Sequence, residues 1–148
     1  MWKVAGIIVL FLTPVFGEQP SEHASCLATS ASAPRFAVGR KTVNGKAQAV
    51  VLNVSVNRKD GSKEKVVALA CKLTRDYDNQ RTLVVWFFTS LEAAKQFRTS
   101  GEGVSVATKK SLMASYRSEP AQNVHELTWT PNGREPADST KILLNVSR

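Results

Sequence analysis

Two cysteines, two histidines and eight glycines leave this 148-residue chain poor in the usual apparatus of chemistry. His23 and His125 lie far apart and neither cysteine belongs to a CxxC pair, so the local spacings that hold zinc are absent. No serine stands in a G-x-S-x-G turn, which removes the commonest sign of a hydrolase nucleophile. Gly39-Arg40-Lys41 precedes a turn instead of opening a helix, so it does not form a phosphate cradle. The sequence therefore assigns no catalytic residue, no metal ligand and no cofactor.

Long apolar runs are also missing beyond Phe16. Lys3 supplies a short positive region, Val4–Phe16 is apolar apart from Gly6, Thr13 and Pro14, and Val15-Phe16-Gly17 resembles a cleavage site before Glu18. These features predict a secretory signal peptide over residues 1–17, removed after Gly17. A membrane anchor needs about 20 apolar residues, more than this run provides. Cys26 lies too far along the chain for a lipoprotein attachment. The expected product is secreted or periplasmic, with no transmembrane segment left after cleavage. Its net charge is +7, one below the +8 of the whole chain, because Lys3 is the only charge removed.

That compartment gives the cysteines a meaning. Cys26 and Cys71 are the only available pair, and oxidising surroundings favour a disulfide between them. Helical phase agrees. Val66, Leu69, Ala70, Leu73 and Tyr77 form one helical face after the N-cap candidate Ser62. Cys71 sits about 140° from the centre of that stripe, where a bridge suits it better than a buried free thiol.

What the chain does hold is the run Thr82–Thr89, TLVVWFFT. Leu83, Val85 and Phe87 alternate with Val84, Trp86 and Phe88, so a strand here must be covered on both faces. Phe36–Val43 and Lys46–Asn57 flank Asn44-Gly45, a strong signal for a hairpin closed by a type I′ turn. Such a turn would place Val43 opposite Lys46 and Val38 opposite Val51. Val50, Leu52, Val54 and Val56 form the buried face of the second arm. The order strand, helix, strand then predicts that this arm and Thr82–Thr89 run parallel. Ser90 or Thr89 caps a short helix containing Leu91, Ala94 and Phe97, which stops at Ser100-Gly101.

Later elements are fainter. Val104–Thr108 is read as a brief strand, Leu112–Arg117 and Val124–Thr130 as an antiparallel pair, and Ile142–Val146 as an edge strand or docked tail. The expected fold class is α+β. It comprises a signal peptide at 1–17, an extended leader at 18–34 and one domain at 35–148. The domain has a mixed sheet, a parallel central pair with antiparallel hairpins, and two helices mainly on one face.

Positive charge is the most suggestive functional feature. Arg35, Arg40, Lys41 and Lys46 surround the hairpin, and Arg58, Lys59, Lys63 and Lys65 follow it, with Asp60 and Glu64 interspersed. The leading expectation is a non-enzymatic domain that binds a protein partner or an anionic envelope polymer through Arg35, Arg40, Lys41, Lys46, Arg58 and Lys59. Nucleic acid is disfavoured, because no aromatic residues interleave these cations. The competing expectation is a small hydrolase assembled around His125, with Asp76 and Asp78 at a helix end. His125 shares a face with Leu127 and Trp129, which favours a half-buried, hydrogen-bonded histidine over a base. Asn53-Val54-Ser55 and Asn145-Val146-Ser147 are glycosylation sequons in a eukaryotic chain and without meaning in a bacterial one. Strand alternation places Asn53 on the wet face.

Overall fold

The computed structural model describes residues 21–29, 31–98, 104–131 and 139–147. The expected signal peptide and its cleavage point lie outside these residues. Within them the chain runs β1 (Ser21–Ser25), β2 (Phe36–Asn44), β3 (Ala49–Val56), α1 (Lys63–Asp76), β4 (Thr82–Phe88), α2 (Leu91–Gln96), α3 (Val106–Ser111), β5 (Leu112–Glu119), β6 (Val124–Trp129) and β7 (Thr140–Asn145). The described strands form one mixed sheet of order β1-β7-β6-β5-β4-β3-β2. β3 and β4 are parallel, as are β1 and β7, and the remaining neighbours are antiparallel. The fold is α+β in a single domain.

β4 lies in the interior of the sheet and is covered on both sides by different layers. On one face Leu83, Val85 and Phe87 join Val50, Leu52, Val54 and Val56 of β3 and Ala114, Tyr116, Leu127 and Ile142 of later strands. Against them α1 sets Val66, Leu69, Ala70 and Leu73. Ser62 caps this helix by accepting a hydrogen bond from the Lys65 amide at 3.3 Å. On the other face Phe88 packs with Ala93 and Ala94 of α2, beside Trp86, Phe97 and Leu112. Helical cover is thus uneven. The long helix lies on one face and α2 on the opposite one, with α3 beside it.

A hydrogen bond shapes the entry to that second layer. Ser90 accepts from the Ala93 amide at 3.3 Å and starts α2. Six residues cannot sustain a helix alone, so α2 depends on what holds it. Gly39 is one contact: a methyl group there would stand 2.7 Å from the Ala94 Cβ and 2.8 Å from the helix backbone. Asn53 is another. Its Nδ2 donates to Ala94 O and Phe97 O, each at 3.1 Å, satisfying carbonyls at the end of α2.

Several local expectations change. The hairpin closes with four residues, Gly45–Gln48, between the paired Asn44 and Ala49. Asn44 Oδ1 accepts from the Ala47 amide at 3.1 Å, and the left-handed residue is Gln48, with φ 49°. Asn44 therefore works as an Asx cap before the turn instead of a central residue within it. Val43 faces Val50 and Val38 faces Val54, while Gly39 is skipped as a bulge. Asn53 is only 3% exposed and belongs under α2, so its expected place on a wet face is corrected.

Val104–Thr108 is not a strand. Ser105 accepts from the Thr108 amide at 3.1 Å and caps α3. A second bulge lies opposite the Phe87/Phe88 step, where Ala114 pairs with Phe87 but Leu112 with Phe88. Met113 is absorbed there and Leu112 turns to the α2 side. Thr140–Asn145 is not at the margin, because β1 pairs outside it. Residues expected to trail as a leader thus supply an edge strand as well as a tether.

The tether is formed. Cys26 and Cys71 are joined, with Cα atoms 5.6 Å apart. Cys26 also donates its amide to Asn145 O at 3.0 Å, so the residue after β1 is fixed to β7 and to α1 at once. Cys71 lies off the main apolar stripe yet is buried, as is Val67 one turn before it, because the N-terminal segment covers that side of α1.

Candidate functional site

The parallel pair ends at Val56 and Phe88, and the chain leaves these two ends toward opposite faces. After β3 it climbs through a 3-10 turn, Arg58–Asp60, to α1. After β4 it passes through Thr89 and Ser90 to α2. Divergence of adjacent connections at the carboxyl ends of parallel strands leaves a crevice, the favoured ligand position in open sheets. Here the crevice has a volume of about 180 Å³.

Its walls come from five parts of the chain that meet only through sheet register. Arg58 and Gly61 come from the β3 exit, Thr89 from the β4 exit, Lys110 from the end of α3, Met113 from the start of β5, and Trp129 from the end of β6. The Thr89 amide donates to Ser111 O at 2.9 Å, and the Thr130 amide to Met113 O at 2.9 Å, closing the floor with main-chain bonds. Asn57 Oδ1 accepts from the Lys59 amide at 3.1 Å and fixes the 3-10 turn that carries Arg58. Gly61 lies against Met113, whose terminal methyl group would have to shift to admit a Cβ there, 2.5 Å away.

Among the described residues two cations, Arg58 and Lys110, line this crevice and no carboxylate does. The nearest acid in sequence, Asp60, is paired with Lys65 at 3.1 Å. Trp129 adds a partly buried aromatic surface. The arrangement suits a compact anionic group with a planar or apolar portion behind it.

The six cations singled out in the sequence do not form one patch. Arg58 lines the crevice, Lys59 follows it in the 3-10 turn, and Arg35 stands at the same end of the sheet, just before Phe36, which faces Val56. Lys46 occupies the hairpin turn at the far end of β2, roughly 30 Å of strand away. Arg40 and Lys41 alternate between the two faces, opposite Asn53 and Leu52. Lys41 holds its ammonium 5.3 Å from the Tyr77 ring centroid. Lys63 is paired with Glu22 at 2.9 Å. The sequence offered no sign of Lys110 or Trp129, because neither stands near Arg58 along the chain.

His125 belongs to a polar network beneath α1. Its Nδ1 lies 3.0 Å from Ser118 Oγ and 3.4 Å from Tyr116 OH. Tyr116 OH lies 2.7 Å from Thr74 Oγ1, which donates to Ala70 O at 2.8 Å within α1. Burial pushes the Tyr116 phenol above its ordinary value of 10.0, while hydrogen bonds with Thr74 and Ser118 pull in the other direction. Ser118 is 2% exposed and Tyr116 1%, so these hydroxyls are shielded from any incoming substrate. Asp76 pairs with Lys72 one turn earlier, and Asp78 is exposed. Among the described residues no group of three or more His, Cys, Asp or Glu is placed to hold a metal ion.

No family model, curated protein or solved structure matches the chain. The formed disulfide indicates an oxidising, extracytoplasmic setting. Among the described residues no helix is long and apolar enough to cross a membrane.

Proposed function

We propose that this protein is an extracytoplasmic, non-enzymatic binding domain, delivered by a signal peptide at 1–17 and cleaved after Gly17. It holds an anionic partner, a protein or an envelope polymer, at the basic rim where β3 and β4 end. The observation that carries this reading is the crevice lined by Arg58, Lys110 and Trp129, with no carboxylate among the described residues of its walls. Arg35 and Lys59 extend the same positive rim. A positive concavity with low-dielectric walls concentrates anions more effectively than scattered surface charge.

The hydrolase reading has one feature in its favour, the short Ser118–His125 contact. Burial of Ser118 weighs against it, because a nucleophile must meet its substrate. A nucleic-acid reading would ask for several aromatic residues along a basic groove. Among the described residues Trp129 is the one aromatic lining this crevice.

Inorganic polyphosphate and a sulfated polysaccharide serve as probes. Binding measured by titration calorimetry should weaken steadily with salt. The double variant R58E/K110E should bind at least about tenfold more weakly, since two charge-assisted contacts become repulsive. K46E, at the distant hairpin tip, should change affinity little. Salt-independent binding, or equal loss in K46E and R58E/K110E, contradicts the assignment.

A further inference from the structure

We infer that the outer edge of β2 accepts an extended, acidic peptide segment by strand addition. This rests on the anionic-partner reading above and gives that partner a chemistry and a mode of attachment. Among the described residues β2 pairs only with β3 and stands at the end of the sheet. It is nine residues long, against five for β1 at the other margin. An edge of that length presents a row of main-chain donors and acceptors, the template that strand addition uses.

Register shows what a new strand would meet. Val38 and Val43 face Val54 and Val50 and so lie on the α1 side, yet they are 48% and 58% exposed. Lys41 shares that face, while Arg40 lies on the other, opposite Asn53. No Asp or Glu occurs in β2. A complementary segment therefore carries β-branched side chains opposite Val38 and Val43, and carboxylates toward Arg40 and Lys41. α2 holds this edge in shape from behind, through the tight contact of Gly39 with Ala94.

A second copy of this chain is a poor occupant. Antiparallel pairing of two β2 strands around Arg40 would set cation against cation, and directly opposed like charges are destabilising. Cations on an edge commonly keep strands from joining. On β2 the same charges repel basic strands and other copies of the chain while attracting acidic segments.

The test uses the mature chain and three nine-residue fluorescent peptides. One carries Val at the positions that meet Val38 and Val43 and Glu at those that meet Arg40 and Lys41, the second has the same sequence with alternate amides N-methylated, and the third replaces each Glu by Lys. Anisotropy gives affinity, and amide exchange locates the contact. The Glu peptide should bind and slow exchange within Ala37–Asn44. N-methylation should cost about tenfold or more at unchanged charge, through the lost main-chain bonds. The Lys peptide should not bind to the native chain, and R40E/K41E should reverse the preference. Equal binding of both acidic peptides without new protection in β2 overturns strand addition and leaves the anionic-partner reading standing. Binding of polyphosphate but of neither acidic peptide also overturns strand addition alone. Failure of every anionic probe overturns both.

Discussion

Replacing Asn53 tests the second layer of the fold more sharply than any truncation of the apolar core. The side chain is 3% exposed, and its amide donates to Ala94 O and Phe97 O, each at 3.1 Å. Both acceptors belong to the end of a six-residue helix with few other bonds to hold it. Asn53→Ala removes both donors and leaves two carbonyls in an apolar setting beside Trp86 and Phe97. At about 1–2 kcal/mol for each orphaned acceptor, the expected loss is about 2–4 kcal/mol. Asn53→Asp keeps the shape but turns a donor into an acceptor facing two carbonyl oxygens, so it should cost more than Ala. Urea unfolding followed by tryptophan fluorescence is a suitable assay, because Trp86 lies 4.9 Å, ring to ring, from Phe97. Equal stability of Asn53→Asp and wild type would refute the hydrogen-bond assignment. So would a loss in Asn53→Ala below about 0.5 kcal/mol, the range of an ordinary surface substitution.

Four other expectations follow from particular contacts. The Cys26–Cys71 bridge closes a loop of 45 residues, so C26S/C71S should lose about 4 kcal/mol on the loop-entropy estimate; unchanged stability in chemical denaturation would contradict it. Gly39→Ala forces a methyl group to 2.7 Å from Ala94 Cβ and should destabilise by about 1–3 kcal/mol, read as a lower urea midpoint. The Tyr116 phenol is raised above 10.0 by burial, so the folded chain keeps a proton that the unfolded chain releases. Its contribution is complete below pH 10.0 and is lost as pH rises above that value; Tyr116→Phe should flatten this part of the stability profile. In a eukaryotic secretory host Asn145, which is exposed, can carry a glycan in the folded protein, whereas a glycan on buried Asn53 would block docking of α2; glycopeptide mass spectrometry of the folded, secreted fraction should find Asn53 unmodified.

The parallel β3–α1–β4 unit was legible because its signals agree at several levels. Val50, Leu52, Val54 and Val56 alternate cleanly, α1 has its stripe and its Ser62 cap, and the β4 run is apolar on both sides. The bridge was legible too, from compartment and from the phase of Cys71 in its helix. Where one local pattern had to decide, a side-chain hydrogen bond, local or distant, overrode it. Asn44-Gly45 promised a two-residue turn, but the Asn44 side chain captures the Ala47 amide and moves the left-handed position to Gln48. Asn53 alternates like a solvent-facing residue, and only α2, packed 41 residues later, makes it a buried donor. Val104 and Val106 imitate strand alternation, while the Ser105–Thr108 cap commits that stretch to a helix. The crevice was half legible: Arg58 stood out by charge, but Lys110 and Trp129 reach it only through the register of β4, β5 and β6.

The central claim is that β4 is a doubly covered interior strand, with α1 on one face and α2 on the other, and that the crevice opens where its end meets that of β3. Native-state amide hydrogen exchange tests it most directly. Leu83–Phe88 should be among the slowest amides in the chain, exchanging only through global unfolding and slower than those of edge strands β1 and β2. Exchange of Leu83–Phe88 as fast as that of the edges would contradict the account.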